Sequence, residues 1–285
     1  MRHTTELPVR WADMDMLGHV NNVTYVDYLQ EARIDMFAAH AEFRGGEELA
    51  EGVVVVRHEL EFAAPLKFRK RPILVDSWVT EVRASRFTAA YEVYDETDTG
   101  RVVYLRASTE MAPFVFATEL PRRISPDERA VLERYLDPAD GRRERLAKAG
   151  SSRHVYPLRV RWSDVDAYRH VNNVKYIEYL QEARIAYMMS IHQDGDEFGQ
   201  FVVARVDVDY RRPILFRLAP YQVHSWISHV GRTSFVCSHE IRDGDQVLAS
   251  AQVVGVGFDT VAQRSTPLPA GHLARLTEQA DLARG

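Results

Sequence analysis

A chain of 285 residues that is 46% apolar and 27% charged has the make-up of an ordinary globular protein, with material for one large domain or two of usual size. Its formal charge of −5 argues against a general nucleic-acid binder, and its single cysteine, Cys237, excludes an internal disulfide. Met1 to Glu6 lack the apolar core of a signal peptide, and no run approaches the ~18 apolar residues that cross a bilayer, so the sequence reads as cytoplasmic with no membrane partner.

In chain order, the first segment is VRWADMDMLGHVNNVTYVDYLQEARIDMF, residues 9–37. Its second half places Tyr25, Tyr28, Leu29, Ala32 and Met36 at helical spacing, which predicts an amphipathic helix over about 22–40. Strands follow. Val54, Val56, Leu60 and Phe62 alternate with Val55, Arg57, Glu59 and Glu61, and the runs around 87–93 and 102–107 alternate in the same way. Period two with one polar side predicts antiparallel strands with one buried face. Next, Ser125-Pro126-Asp127-Glu128 spells a capping box with a first-turn proline ahead of Val131, Leu132 and Tyr135, predicting a short helix. The stretch 119–153, with its charged run Arg142-Arg143-Glu144-Arg145, is read as a solvated linker.

Residues 160–188 then read VRWSDVDAYRHVNNVKYIEYLQEARIAYM, identical to 9–37 at 18 of 29 positions, where unrelated segments would match at about one or two. A second helix over about 173–192 and a strand over 202–210 follow, and Asp243-Gly244-Asp245 is a hairpin turn. Pro65 and Trp78 recur as Pro213 and Trp226 at an offset of 148, so the loop after the second helix has lost three residues. Cys237 lies in an alternating run and reads as a buried structural thiol, and His224, His229 and His239 read as scattered strand histidines. A short helix is expected around 272–282. The domains are therefore module 1 at 1–118, linker 119–153, module 2 at 154–263 and tail 264–285. One helix and about five antiparallel strands per copy make an α+β module whose sheet must curl around the helix.

The chemistry concentrates in the loop before each helix. A carboxylate beside a helix N-terminus, with free N–H groups and the positive end of the dipole, is an acyl-transfer site in minimal form. Asp15, His19 and Asn22 in the first copy, and Asp166, His170 and Asn173 in the second, are the candidates. Asp13 and Asp164 read as loop braces, Asn21 and Asn172 as helix caps, and Glu31, Arg33, Glu182 and Arg184 as helix-surface charges. Asp13-x-Asp15-x-x-Gly18 imitates a calcium loop but lacks its later ligands, so no metal is expected.

The pattern R-W-x-D-x-D-x-x-x-H-V-N-N-x-x-Y-x-x-Y resembles that of the hotdog-fold thioesterases of the 4-hydroxybenzoyl-CoA thioesterase type, including their plant acyl-carrier-protein relatives. The resemblance covers about 5–118 and 154–260. It implies a double hotdog, with the copies packed as a pseudo-dimer, and hydrolysis of an acyl thioester of coenzyme A or acyl carrier protein in lipid metabolism, without metal or redox cofactor. It implies Asp15 and Asp166 as the catalytic carboxylates, Asn22 and Asn173 as N–H donors to the thioester carbonyl, and a part for His19 and His170. The asparagine that the plant relatives carry two residues after the aspartate is Leu17 and Tyr168 here, and Gly18 becomes Arg169, which sets the two sites apart in shape or substrate. For the carrier's phosphates the candidates are Arg69, Lys70, Arg71, Arg83 and Arg86, with Arg211, Arg212, Arg217 and Arg232 in the second copy. Tyr25, Tyr28, Tyr176, Tyr179 and Met188 suggest an apolar acyl pocket. A homo-oligomer is left open, and the rival readings are a non-catalytic acyl-CoA binding module and a hotdog hydratase or dehydratase.

Overall fold

The computed structural model describes residues 1–39, 52–115, 118, 120–138, 145–146, 149–192, 201–259, 262 and 264–284. They form two compact units, Met1–Arg143 and Glu144–Gly285.

In the first unit β1 (His3–Leu7) leads through the motif loop into α1 (Asn22–Ala38), followed by β2 (Val53–Phe62), β3 (Ile73–Val82), β4 (Phe87–Thr97) and β5 (Gly100–Val115). The strands run β1-β3-β4-β5-β2, every neighbour antiparallel. The second unit repeats this with β7 (His154–Leu158), α3 (Asn173–Ser190), β8 (Phe201–Tyr210), β9 (Tyr221–Val230), β10 (Ser234–Asp243) and β11 (Gln246–Asp259), in the order β7-β9-β10-β11-β8. Short pairs complete each sheet: β6 (Leu120–Pro121) on β5 and β12 (Arg264–Ser265) on β11.

Each long helix is wrapped rather than merely covered. Tyr25, Val26, Tyr28, Leu29, Ala32, Met36 and Phe37 are all buried, more than a single stripe supplies. Leu60, Val75, Phe87, Ala89 and Leu105 are among the buried residues of the sheet, in keeping with the expected alternation, and Phe87 meets Phe37 of the helix edge-on with ring centroids 6.0 Å apart. Gly244, at φ +56, turns the β10–β11 hairpin as expected.

Three expectations are corrected. The helix placed in the linker, α2 (Pro126–Arg134), is part of the first unit: Val131 and Leu132 are buried against the sheet, and Val79 N donates to Tyr135 O at 3.0 Å. Its capping box forms as read, with Glu128 N on Ser125 Oγ at 3.1 Å and Ser125 N on Glu128 Oε2 at 2.7 Å. The tail helix, α4 (Ala270–Arg284), plays the same part on β9 of the second unit, burying Leu276, Ala280 and Ala283. The two are equivalents at an offset of 144. Ile124 N donates to Ala84 O as Leu268 N does to Arg232 O, and Arg122 N to Pro113 O as Thr266 N does to Gly257 O. Most of the charged run expected in the linker, 142–144, lies outside the described residues.

Second, Arg33 is not a surface charge but 8% exposed, with its guanidinium close to Tyr91 and His58. Third, the polar sides of β2 and β8 are not solvated throughout. Arg57 is buried and pairs with Glu59 at 2.8 Å, and Asp207 is fully buried and pairs with Arg205 at 2.8 Å.

Candidate active site

The motif loop is a small closed structure, the same in both modules. A 3-10 turn, Trp11–Asp13, ends in a buried aspartate whose Oδ2 accepts from Arg10 N at 2.7 Å and from the Tyr28 hydroxyl at 2.7 Å, while Oδ1 accepts from Arg10 Nε at 3.0 Å. Burial pushes the Asp13 carboxyl up, but Tyr28 and the Arg10 donors outweigh it and hold it below the usual carboxylate range. Asp164 is held alike by Arg161 N at 2.8 Å and the Tyr179 hydroxyl at 2.6 Å. The bracing role read from the sequence is what the geometry shows. The tyrosines, read as acyl-pocket or core residues, are the partners that the sequence left unassigned.

Beyond the brace the chain folds back on itself. Asp15 N donates to His19 O at 2.8 Å and Gly18 N to Asp15 O at 3.0 Å; Asp166, His170 and Arg169 repeat both bonds at 2.8 and 3.0 Å. Gly18 has φ +75 and Arg169 φ +66, so the glycine-to-arginine change keeps the backbone turn and alters only what projects from it. The expected difference between the copies is thus one of side chains. The turn pins one oxygen of each candidate carboxylate. Asp15 Oδ1 accepts from Leu17 N at 2.8 Å and His19 N at 3.3 Å, and Asp166 Oδ1 from Tyr168 N at 2.9 Å and His170 N at 3.3 Å. Among the described residues no hydrogen bond engages Oδ2 of either aspartate, and both residues are half-buried.

The helix start sits directly behind. Asn21 Oδ1 accepts from Val23 N at 2.9 Å and Asn21 O from Thr24 N at 2.9 Å, a cap that Asn172 reproduces with Val174 and Lys175. The cap takes the second and third helical N–H groups and leaves the first, on Asn22 or Asn173, without a partner among the described residues. Val20 N on Leu66 O at 2.8 Å, and Val171 N on Ile214 O at 2.9 Å, tie the loop to the segment after β2 or β8. Each module therefore carries a pinned carboxylate with one open oxygen, on a short closed loop that ends at an open helix N–H.

Other expected site residues fare differently. Tyr25 and Tyr176 are core, their hydroxyls pushed upward in pKa by burial, and Tyr176 Oη accepts from Ile214 N at 2.9 Å. Met188 lines a small cavity of about 30 Å³ beneath α4, at the far end of α3 from Asn173, with Phe201, Phe235 and Leu276. An 18-residue helix is about 27 Å long, so this cavity is no part of the motif site. Of the cations proposed for phosphate, Arg69 and Arg71 are tied to Asp95, Arg83 to Glu81, Arg86 to Glu110 and Arg217 to Asp243. Cys237 is buried as expected, its thiol pushed up to about 12 by burial. No helix among the described residues is long and apolar enough to cross a membrane.

Comparison with known proteins gives the architecture a family. The chain is 31% identical, over 132 residues, to the long-chain acyl-CoA thioesterase FadM of Escherichia coli (strain K12), a match covering 43% of this chain and 95% of that one. Among solved structures, a Lactobacillus plantarum protein described as an oleoyl thioesterase superposes with a TM-score of 0.74 at 16% identity, covering 91% of this chain and 97% of its own. The 12:0-ACP thioesterase of Umbellularia californica does so at 0.69 and 13% identity, covering 93% and 94%. These two likenesses establish the fold, two hotdog modules. The model of the Thioesterase-like superfamily matches twice, at residues 9–134 and 160–276, the first taking in most of one module and its closing helix and the second most of the other and the start of its closing helix, and the chain belongs to that superfamily.

Proposed function

We propose that the chain hydrolyses acyl thioesters, of coenzyme A or of acyl carrier protein, to a free carboxylic acid and a thiol, with one reacting carboxylate per module, Asp15 and Asp166. The observation that carries this reading is the pinned aspartate: one oxygen is fixed by two backbone N–H groups and the other is open, next to a helix whose first N–H is unclaimed. Such a carboxylate takes the proton of a water adding to the thioester carbonyl, or adds to that carbonyl itself and is then released by water. Either way the carbonyl oxygen becomes an oxyanion, which the N–H of Asn22 or Asn173 and the helix dipole stabilise. Collapse expels the thiolate, which takes up the proton removed from water, by the carboxylate in the first route or on release of the acyl group in the second, with His19 or His170, four residues on in the same loop, as the relay. Water, carboxylate, imidazole and helix N–H complete the reaction, so the proposal includes no metal or redox cofactor. The FadM likeness supports acyl-CoA as the first substrate to try.

The test is free-thiol release from a panel of acyl-CoA thioesters by the wild type, Asp15→Asn, Asp166→Asn and the double variant. The double variant is expected to lose activity by a factor of about 10² to 10⁴, the usual worth of a positioned acid–base group, and the single variants apportion turnover between the modules. No thiol release by the wild type on any substrate, or a double variant as active as the wild type, overturns the proposal and favours the binding-module or hydratase reading.

A further inference from the structure

The two motif loops differ in sequence at their tips, yet both modules expose the same kind of surface beside them. Trp11 is 75% exposed and Met16 97%, and Phe68 is exposed too; in the second module Trp162 is 77% exposed, next to exposed Phe216 and Leu218. Each indole stands edge-on against its phenyl ring, with centroids 5.3 Å apart. Val20 and Val171 bond to the segments that carry the phenylalanines, and each tryptophan lies four residues before its pinned aspartate, so each aromatic pair shares the framework of the motif loop. Contiguous large apolar side chains left in water mark an interaction surface.

The setting of these pairs is basic. Residues 63–72 hold Lys67, Arg69, Lys70 and Arg71, and residues 211–220 hold Arg211, Arg212 and Arg217, in a chain whose net charge is −5; Arg69 and Arg71 pair with Asp95 and Arg217 with Asp243, so the cations offered to a partner are Lys67, Lys70, Arg211 and Arg212. Lys67, Lys70, Arg211 and Arg212 are exposed. Aromatic anchors within a rim of cations are the composition of a protein-binding hot spot with an acidic partner. A second copy of this chain docking through the same patch would bring like charges together, which disfavours it. A coenzyme A thioester offers phosphates but only one adenine ring, too little to cover an indole, a thioether and a phenyl group at once.

We propose that these aromatic–basic surfaces dock an acidic carrier protein, one that presents the acyl thioester on a flexible phosphopantetheine arm beside Asp15 or Asp166. This rests on the thioesterase reading above, and the experiment separates the two. Two sets of substitutions are made, Trp11→Ser with Trp162→Ser, and Lys67→Glu, Lys70→Glu, Arg211→Glu with Arg212→Glu. The second set changes exposed charges only, so it remains informative if the first fails to fold. Binding of holo acyl carrier protein is measured by calorimetry without turnover. Thiol release is compared for dodecanoyl acyl carrier protein and dodecanoyl-CoA.

Both sets are expected to weaken carrier-protein binding at least about tenfold and to lower kcat/KM for the carrier-protein substrate alike; kcat/KM for dodecanoyl-CoA stays within about twofold of wild type in the tryptophan set and, in the charge set, falls by a smaller factor than that for the carrier-protein substrate. Equal losses on both substrates, or carrier-protein binding that neither set weakens, overturns the docking surface. So does binding of phosphatidylglycerol vesicles that the substitutions abolish while carrier-protein binding stays, or a dimer in sedimentation that they dissociate. Failure of the thioesterase reading shows separately, as absence of thiol release with carrier-protein binding intact.

Discussion

At the residue scale each loop carries two carboxylates in different settings, and the proposed function gives them opposite parts. Asp13 is spent on structure: every donor it meets is internal, and its partner Tyr28 reaches it from across the first turns of α1. The bracing part of Asp13 was legible in the loop, but the tyrosine's part was not, because a tyrosine at a core-facing helical position satisfies the apolar pattern whether or not its hydroxyl has a partner. Tyr28→Phe and Tyr179→Phe each remove a hydrogen bond to a buried carboxylate, and each is expected to cost about 1.5–3 kcal/mol in urea unfolding. A cost below about 0.5 kcal/mol would mean that the brace is dispensable. Arg169 supplies the converse case. It holds φ +66 where its counterpart is glycine, and no atom lies within 4 Å of where a Cβ on Gly18 would be, so the penalty is backbone strain alone. Relief of about 1–2 kcal/mol, less the unfolded-state entropy of glycine, predicts that Arg169→Gly stabilises by about 0.5–1 kcal/mol. A raised urea midpoint with unchanged slope is the reading that agrees; a lowered one would mean that the arginine side chain holds the turn together.

At the element scale the repeat runs longer than identity in the motif suggested. Periodicity exposed the long helices and most strands because burial on one face leaves a period in the sequence. The closing helices gave separate signals, a capping box for α2 and a vaguer pattern for α4, and without strong identity they were read as linker and tail. What unites them is the burial of Leu132 and Leu276 at equivalent places and the equivalent bonds of Ile124 and Leu268 that lead into them. Arg33 escaped for a related reason: arginine is exposed by default, and its neighbours Tyr91 and His58 come from two strands that no local pattern connects to α1. A docked helix has consequences that a linker does not. Leu132→Ala and Leu276→Ala should each cost about 2–5 kcal/mol, the range for a buried leucine, whereas truncation on a solvated tether would cost almost nothing. Glu128→Gln tests the cap apart from the packing. Arg122 Nη1 reaches Glu128 Oε2 at 2.7 Å and Nη2 reaches Oε1 at 2.6 Å, so loss of the charge should cost about 1–2 kcal/mol, read as a lowered urea midpoint.

At the scale of the whole molecule, each module buries one histidine among its described residues, in a different place. His58 on β2 shares a hydrogen bond with Thr109 at 2.9 Å, and His239 on β10 shares one with Ser225 at 2.9 Å. Both are wholly buried. Desolvation, with a nearby arginine adding to it (Arg33 for His58, Arg184 for His239), pushes each imidazole down to about 3. His239, read from sequence as one of several scattered strand histidines, is thus set apart by its burial. The folded state holds both rings neutral, while the unfolded chain protonates them near 6.5. The unfolded state therefore binds more protons between pH 6.5 and about 3, and stability, complete above 6.5, falls as the solution is acidified through that window. The slope is about 1.4 kcal/mol per pH unit for each buried imidazole. Since the two histidines lie in separate cores, their effects should add, and each should be removable alone. His58→Gln and His239→Gln keep a hydrogen-bonding group for Thr109 and Ser225 while abolishing the titration. Urea unfolding between pH 6.5 and 4.5 should show each variant losing less stability than wild type, and the double variant least of all. If the dependence on pH is as steep in the double variant as in the wild type, the acid sensitivity of this fold lies in its carboxylates instead.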